Sequence, residues 1–342
     1  MKRRGTSKLR DVAAAAGVSV PTASQALNGR ARISSTTRTR VLEAARRGMG
    51  GVAEPARRLI LGRSDSVAIV PGSNMRGIFS DLFYRAVLSG VGGAFEEAGY
   101  RMLITPTFRP AAEAPQFVKM AAAREVDGIL IAGVVDRRWL AEAVETGTPV
   151  ILLDNHLPDI PVPAVVNDNA GGAYRATRFL ASLGHTRIGF IGAAVDYPFG
   201  PETQAGYLRA LRDAGLRRDR GLECSIPIDV EEARRRTRTL LALPQPPSAI
   251  FAVTDTMAMG VITGARQSGC AIPADFSVVG MDDIDVAAVT NPPLTTIRVR
   301  KEEMGRRAAE RLLDLIHGKK LERAVEVLAN ELIVRGTTGG RR

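Results

Sequence analysis

The first group of residues whose types and spacing could do chemistry lies near the amino terminus. On a helix over Val20–Leu27, the outward positions form a short polar face with almost no charge; they are Pro21, Thr22, Ser24, Gln25 and, just beyond the helix, Asn28. Glutamine and asparagine amides can pair with adenine, and a threonine methyl can contact thymine in a DNA major groove. The face therefore predicts base reading, although an ordinary helical hairpin with a solvated face remains the alternative.

A second group consists of polar residues that directly follow short apolar runs. They are Asp154, Asn155, Asp168, Asp255, Asp282 and Asp283. Carboxylates at the carboxyl ends of strands can accept hydrogen bonds from several hydroxyls or amines of a small ligand. Aspartate is also a common helix cap and turn residue. Each of these aspartates, taken alone, could therefore cap a helix or stabilise a turn instead of binding a ligand.

No set of residues in the sequence matches a catalytic pattern. His156, His185 and His317 are scattered, and there is no nucleophile elbow, P-loop or dinucleotide-binding glycine motif. Cys224 and Cys270 give neither a disulfide framework nor metal-ligand spacing. We expect no enzymatic activity, no cofactor and no metal.

The polar face needs a scaffold of short helices. Leu9, Val12, Ala13 and Ala16 follow the spacing of one helix face, Gly17 ends that helix, and Ser19 can cap the next one. Val20, Ala23 and Leu27 can pack back on the first helix. After Asn28, Ser34 or Ser35 can begin a third helix with Val41, Leu42 and Ala45 inward, and Arg30, Arg38 and Arg40 are candidates for phosphate contacts.

Charge is distributed very unevenly along the chain. Residues 1–64 hold 14 basic and 3 acidic side chains, so the whole net charge of +11 lies in this segment. A basic segment releases counterions when it binds DNA phosphates. A targeting segment or a solvated tail is the alternative, but neither contains a helix-turn-helix. No apolar run is long enough for a membrane span, so we expect a soluble, cytoplasmic protein.

The three helices are followed by a linker and then by a different pattern. Residues 1–48 form the expected headpiece, and 49–64 form a glycine- and proline-containing linker in which Leu59 could enter a minor groove as a wedge. From residue 65 onward, short apolar runs alternate with amphipathic helices, and this alternation occurs twice. It predicts a two-lobe, doubly wound α/β core over 65–342 with ligand space between the lobes.

The limits of the two lobes can also be predicted. We expect the first lobe to comprise about 65–165 with a return segment at about 284–299. The second lobe would comprise about 166–283 and 300–335.

Several stretches of the chain together resemble bacterial transcriptional regulators of the LacI/GalR type. They include KLRDVAAAAGVSVPTASQALNG, EVDGILIAG, SLGHTRIGFIG, AIFAVTDTMAMG, IPADFSVVGMDD and PPLTTIRVRKEEMGRRAAERLLDLI. The resemblance covers nearly the whole chain in order. It implies a helix-turn-helix headpiece, a hinge helix, a core like that of periplasmic sugar-binding proteins, and a homodimer, possibly a tetramer, on double-stranded operator DNA. A small effector, most often a sugar, would control DNA binding.

The resemblance also implies roles for particular residues. Val20, Pro21 and Gln25 would read bases, Thr22, Ser24 and Asn28 would support backbone contacts, and Leu59 would be the hinge leucine. The residues expected to bind the effector are Phe83, Tyr84, Asp154, Asn155, Thr203, Phe251, Asp255 and Asp282.

This sequence departs from the family pattern at three of the positions that matter for function. Gln25 stands where arginine is usual, Pro55 falls inside the hinge helix, and Thr203 replaces an arginine that commonly binds the effector. Because donors are scarce among the expected effector residues, we expect a neutral polyhydroxylated ligand. Two hypotheses follow: an effector-controlled repressor, or a carrier or enzyme on the same two-lobe scaffold.

Overall fold

The computed structural model describes residues 6–27, 33–47, 64–72, 81–105, 114–194 and 197–341. Asn28, Arg30, Leu59 and the hinge around Pro55 lie outside the described residues. None of the described helices is both long enough and apolar enough to cross a membrane.

The headpiece contains three helices: α1 (Thr6–Ala15), α2 (Val20–Leu27) and α3 (Ser35–Arg47). Gly17 has a φ of +62°, and the backbone amide of Thr22 donates to Ser19 Oγ at 3.2 Å, so the expected stop and cap are both present. Ser34 caps α3 in the same way, because its Oγ accepts a hydrogen bond from the backbone amide of Thr37. A small core joins the three helices; it consists of Val12, Ala13, Ala16, Ala23, Ala26 and Val41.

Lobe one is a six-stranded parallel sheet covered by helices on both faces. Its strands are β1 (Ser66–Pro71), β2 (Arg101–Ile104), β3 (Gly128–Ala132), β4 (Val150–Leu153), β5 (Ala164–Asn167) and β11 (Val325–Leu328). Their order across the sheet is β11-β5-β4-β3-β1-β2. The four helices are α4 (Leu82–Glu97), α5 (Gln116–Ala122), α6 (Arg137–Glu145) and α11 (Lys301–Ile316). Alternate strand residues pack against α4 and α11 on one face and against α5 and α6 on the other.

Lobe two repeats this design. Its strands are β6 (Ile188–Ala193), β7 (Glu223–Ile226), β8 (Ala249–Ala252), β9 (Ser277–Asp282), β10 (Thr295–Arg298) and β12 (Glu331–Ile333). They are ordered β12-β10-β9-β8-β6-β7, and only the β10–β12 pair is antiparallel. The helices are α7 (Asn169–Ser182), α8 (Phe199–Asp213), α9 (Val230–Leu241) and α10 (Asp255–Gln267), with short 3-10 turns at Arg220–Leu222 and Asp285–Ala288. The expected two-lobe α/β core with an all-α headpiece is confirmed.

The assignment of the return segments from sequence is wrong. Strand β10, within the segment expected to return to lobe one, pairs with β9 in lobe two. Helix α11 and strand β11, expected in lobe two, belong to lobe one, where α11 packs on α4 and β11 pairs with β5. The reason is packing: Met304, Ala308 and Leu312 of α11 fill the same core as Val87 and Val91 of α4.

Candidate functional site

A cavity of about 540 Å³ lies between the two lobes, at the carboxyl ends of the strands. This is the position at which open parallel sheets bind ligands. Both lobes contribute side chains to its wall, among them Asp81, Phe83, Tyr84, Asp154, Asn167, Asn169, Tyr197, Phe199, Thr254, Thr256, Met259, Asp282 and Ile284. Its volume lies within the range of small-molecule sites.

Asp154 follows β4 directly and forms part of the wall of lobe one. Its backbone has a φ of +56°, in the left-handed region that few residues other than glycine adopt. The hydroxyl of Tyr84 donates to Asp154 Oδ2 at 2.8 Å. Burial raises the pKa of Asp154 to about 7; the bond from Tyr84 lowers it, and the charge of Glu202 raises it further.

Asp282 is the matching carboxylate of lobe two. It is the last residue of β9 and has a φ of +126°, a conformation that strongly favours glycine. Strained backbone of this kind is concentrated at ligand sites, because the surrounding fold must hold it in place. Burial raises the pKa of Asp282 well above its ordinary value, and the charge of Asp255 adds to this effect.

Aromatic side chains from both lobes face the same cavity. In lobe one, the rings of Phe83 and Tyr84 meet edge to face with centroids 5.1 Å apart. Asp81 caps the start of their helix by accepting hydrogen bonds from both of their backbone amides. In lobe two, the rings of Tyr197 and Phe199 lie 5.8 Å apart. The cavity thus combines acceptor groups with flat apolar faces.

The structure brings together four of the eight expected effector residues. Phe83, Tyr84, Asp154 and Asp282 contribute to the cavity wall. The other four do not lie on the cavity wall. Asn155 is buried and donates to the carbonyl oxygen of Gly133 at 3.0 Å.

The prediction that Phe251 lines the cleft is wrong. Its side chain is fully buried in the core of lobe two, 6.0 Å from the ring of Phe190. Thr203 is also fully buried, and its hydroxyl donates to the carbonyl oxygens of Phe199 and Gly200. Because it bonds its own helix, Thr203 does not take the place of a ligand-binding arginine.

Asp255 has a structural role in this fold. Its side chain is fully buried; it accepts hydrogen bonds from Thr296 Oγ1 at 2.5 Å and from the backbone amide of Ile284 at 2.9 Å. These bonds join the start of α10 to β10 and to the segment after β9. Burial raises the pKa of Asp255 to about 7.

Sequence reasoning missed several residues of the cavity wall. Asn167 and Asn169 lie where the chain first crosses between lobes, and Tyr197 and Phe199 lie at the start of α8. A signal was available for the aromatic pair, since two aromatic residues around a proline before a helix are unusual on a solvated surface. No comparable signal marks Asn167 or Asn169, because asparagine is common in turns.

In the headpiece, the expected DNA-contacting residues that the structure describes lie on α2 and α3, and none of them is fully buried. Pro21 and Gln25 on α2 are exposed, and Val20, Thr22 and Ser24 are partly buried. Arg38 and Arg40 on α3 are exposed as well.

Comparison with known proteins gives agreement over the whole chain. Residues 8–47 match the family described as bacterial regulatory proteins, lacI family, and residues 177–338 match the periplasmic binding protein-like domain. The repressor CytR of Escherichia coli strain K12 is 31% identical over 343 residues, covering 98% of each chain. The regulator CelR of Thermobifida fusca is 34% identical over 339 residues, covering 98% of this chain and 99% of the relative.

The chain belongs to the LacI family of bacterial regulatory proteins. Among solved structures, a complex of the regulator CelR with cellobiose has a TM-score of 0.74 and 33% identity, and the match covers 96% of this chain and 99% of that one. As a LacI-family member, the chain is a DNA-binding transcriptional regulator. The family assignment excludes the hypothesis of an enzyme on the same scaffold.

Proposed function

We propose that this LacI-family regulator is a repressor whose affinity for its operator is set by a sugar bound between the two lobes. The observation that carries this proposal is the cavity wall itself, in which two aromatic pairs and two strand-end carboxylates face one space. Aromatic faces pack against the C–H surface of a sugar ring, and carboxylates accept hydrogen bonds from its hydroxyls. The protein acts in the cytoplasm, where operator DNA is accessible.

The charge of the wall favours a sugar over an acid or a phosphate ester. Within the described ranges, no lysine or arginine side chain lines the cavity. An anionic ligand beside Asp154 and Asp282 would therefore bury unpaired negative charge, which costs several kcal/mol. The solved CelR complex contains cellobiose, a neutral disaccharide, which agrees with this preference.

DNA recognition in this proposal belongs to the headpiece. Val20, Pro21 and Gln25 read base edges, Thr22, Ser24 and Asn28 support contacts with the DNA backbone, and Leu59 inserts into the minor groove. Arg30, Arg38 and Arg40 bind phosphates, which positions the protein without reading sequence. A homodimer presents two headpieces to the two halves of a pseudo-palindromic operator.

The experiment begins by selecting the bound sequence from a genomic DNA library and then titrates the complex with sugars, sugar acids and sugar phosphates. A sugar without an acidic group should release or strengthen operator binding, whereas sugar acids and sugar phosphates should not. Asp282→Ala should lose this response and retain operator binding, since the two sites lie in different parts of the chain. Asp213→Ala, at the end of α8, is the matched control and should respond normally.

Two results would contradict the proposal. One is tight binding of an acid or a phosphate by the cleft. The other is an Asp282→Ala protein that responds to the sugar as the unaltered protein does.

A further inference from the structure

The carboxylates around the cavity outnumber the positive charges that could balance them. Asp81, Asp154 and Asp282 line the wall. Two more carboxylates, Glu202 and Asp255, lie close enough to raise the pKa of Asp154 and of Asp282, respectively. Among the charges that act most strongly on these two pKa values, the positive one is Lys301, which lowers the pKa of Asp282.

Three of these carboxyl groups already have hydrogen-bond partners in the fold. Asp81 accepts hydrogen bonds from two backbone amides at the start of α4, where the helix dipole also favours negative charge. Glu202 accepts a hydrogen bond from the side-chain amide of Asn169 at 2.9 Å, and Asp255 accepts the two hydrogen bonds described above. Lys301 is used elsewhere: its Nζ donates to the backbone carbonyl oxygens of Asp282 and Asp283.

Asp154 and Asp282 are the other two carboxyl groups of this set. The carboxylate of Asp154 accepts one hydrogen bond, from Tyr84, and the carboxylate of Asp282 accepts none from the described residues. Both lie on the cavity wall, and each charge raises the free energy of the other. Because both pKa values are raised, ionisation of the two groups is disfavoured in the free cleft. A ligand that supplied a positive charge between them would favour the ionised form of both, and neutral hydroxyl groups would do so less strongly.

The aromatic residues support the same ligand chemistry independently. Phe83 and Tyr84 on one lobe and Tyr197 and Phe199 on the other surround the space that the carboxylates face. Aromatic faces attract a cation through the ring quadrupole, most strongly where water is excluded. An aromatic surface beside two carboxylates is therefore suited to a protonated amine.

We infer that the effector is a sugar carrying a basic amino group, which binds as an ammonium ion between Asp154 and Asp282. This inference rests on the proposed function, because it specifies which kind of sugar occupies the same cleft. It replaces the neutral ligand expected from the sequence, which showed that donors are scarce but not which of the carboxylates already have hydrogen-bond partners in the fold.

Three disaccharides with the same β-1,4 skeleton provide a direct test: cellobiose, the disaccharide of glucosamine, and its N,N′-diacetyl derivative. Calorimetric titration of the full-length protein should show at least about tenfold tighter binding of the free amine than of cellobiose, because hydrogen bonds to charged groups are stronger. The diacetyl derivative should bind no tighter than cellobiose. Titration in two buffers with different ionisation heats, at a pH below the pKa of the amine so that the sugar enters as the ammonium ion, should show proton release with the amine and none with cellobiose. Up to about one proton would leave each carboxyl group that the ammonium ion ionises.

Asp282→Asn keeps the size of the side chain and removes its charge. It should reduce the preference for the amine over cellobiose to within about threefold, whereas Asp213→Asn on the outer end of α8 should keep the full preference. If cellobiose binds and controls operator release while the amine binds no better, the inference is wrong and the proposed function stands. A further outcome is that none of the three binds, while a sugar of another skeleton controls operator binding without a preference for an amine. In that case the inference is again wrong and the proposed function again stands. If no sugar affects operator binding, both are wrong.

Discussion

A carboxyl group with a pKa near neutrality makes the stability of the fold depend on pH. The folded pKa of Asp154 is about 7 and its ordinary value is 3.8, so the folded protein holds an extra proton between these values. The contribution of Asp154 to stability therefore falls as pH rises from about 4 to about 7 and then levels off. Asp255, whose folded pKa is also about 7, contributes in the same direction.

Replacing Asp154 with asparagine should remove part of this dependence. Asp154→Asn keeps an acceptor for Tyr84 and cannot ionise. The change that it causes in the free energy of unfolding of the free protein should therefore be more stabilising at pH 8 than at pH 4, by about 1–3 kcal/mol. The figure is smaller than the full shift implies because the cleft admits water. Urea unfolding at pH 4 and pH 8 measures it, with Asp213→Asn as the control. An equal effect of Asp154→Asn at both pH values would contradict the assignment.

Gln25 and Arg38 should affect DNA binding in different ways. Gln25 lies exposed on α2, and Arg38 lies exposed on α3. Gln25→Ala should reduce discrimination at one base pair in each half-site by about 1–3 kcal/mol. Arg38→Ala should weaken binding to all sequences alike. Binding measured on matched and mismatched operators separates the two effects, and an equal loss on both for Gln25→Ala would exclude base reading by that residue.

Two of the four expected effector residues that lie on the cavity wall share one property. Asp154 and Asp282 are polar residues at the very end of an apolar run, so the end of the strand and the chemistry coincide. Phe251 lies inside a strand that is buried on both faces, where position along the strand gives no information about a cleft. Thr203 and Asp255 lie in helices, and whether such a side chain faces a ligand or its own backbone depends on packing that the sequence does not show.

At the scale of elements, the contact between α4 and α11 depends on two glycines. A Cβ atom on Gly305 would overlap the carbonyl oxygen of Val87, and one on Gly90 would overlap that of Glu302. Backbone cannot move aside as a flexible side chain can, so the helices approach closely only because both positions lack a side chain.

Gly305→Ala should therefore destabilise lobe one by about 2 kcal/mol or more, since the clash outweighs the gain of about 1 kcal/mol in helix propensity. Gly93→Ala is the matched control on the opposing helix, because its Cβ would meet only the Arg306 side chain, at 3.3 Å. Gly93→Ala should be neutral or mildly stabilising. Chemical denaturation of both variants tests this, and similar stability changes would show that the close approach is unimportant.

The elements themselves were largely predictable, and their placement was not. Ser19 and Gly17 marked the helix ends in the headpiece, and α2 has the limits expected from the sequence, Val20–Leu27. Strands β10, β11 and β12 contain only three or four residues each, too few for a periodic pattern. The amphipathic pattern of α11 predicts a helix with one apolar face, but both sheets offer a surface that such a face could cover.

At the scale of the whole molecule, the chain crosses between the lobes three times, after Asn167, Arg298 and Leu328. Side-chain amides link two of these crossings. Asn330 donates to Asn167 Oδ1 at 3.0 Å, Asn167 donates to Asn169 Oδ1, and Asn169 donates to Glu202 Oε2 at 2.9 Å. Because Asn167 and Asn169 also line the cavity, the connections between the lobes and the ligand site share side chains.

The separation of charge along the chain leads to the last prediction. All of the net charge of +11 lies in residues 1–64, and residues 65–342 hold equal numbers of acidic and basic side chains. A protein consisting of residues 65–342 should lose both specific and non-specific DNA binding, because no basic excess remains to release counterions. Its affinity for the effector should be nearly unchanged, since the described cavity wall lies entirely within 65–342.

Electrophoretic mobility shift assays over a series of salt concentrations, together with calorimetric titration of the effector, test both parts. For the full-length protein, the logarithm of the DNA association constant should fall steeply and linearly with the logarithm of the salt concentration. Phosphate contacts by Arg38 and Arg40 would account for part of that slope, so removing either arginine should make the slope shallower by about one unit. Salt-dependent DNA binding by residues 65–342 alone would show that the core carries a DNA surface of its own.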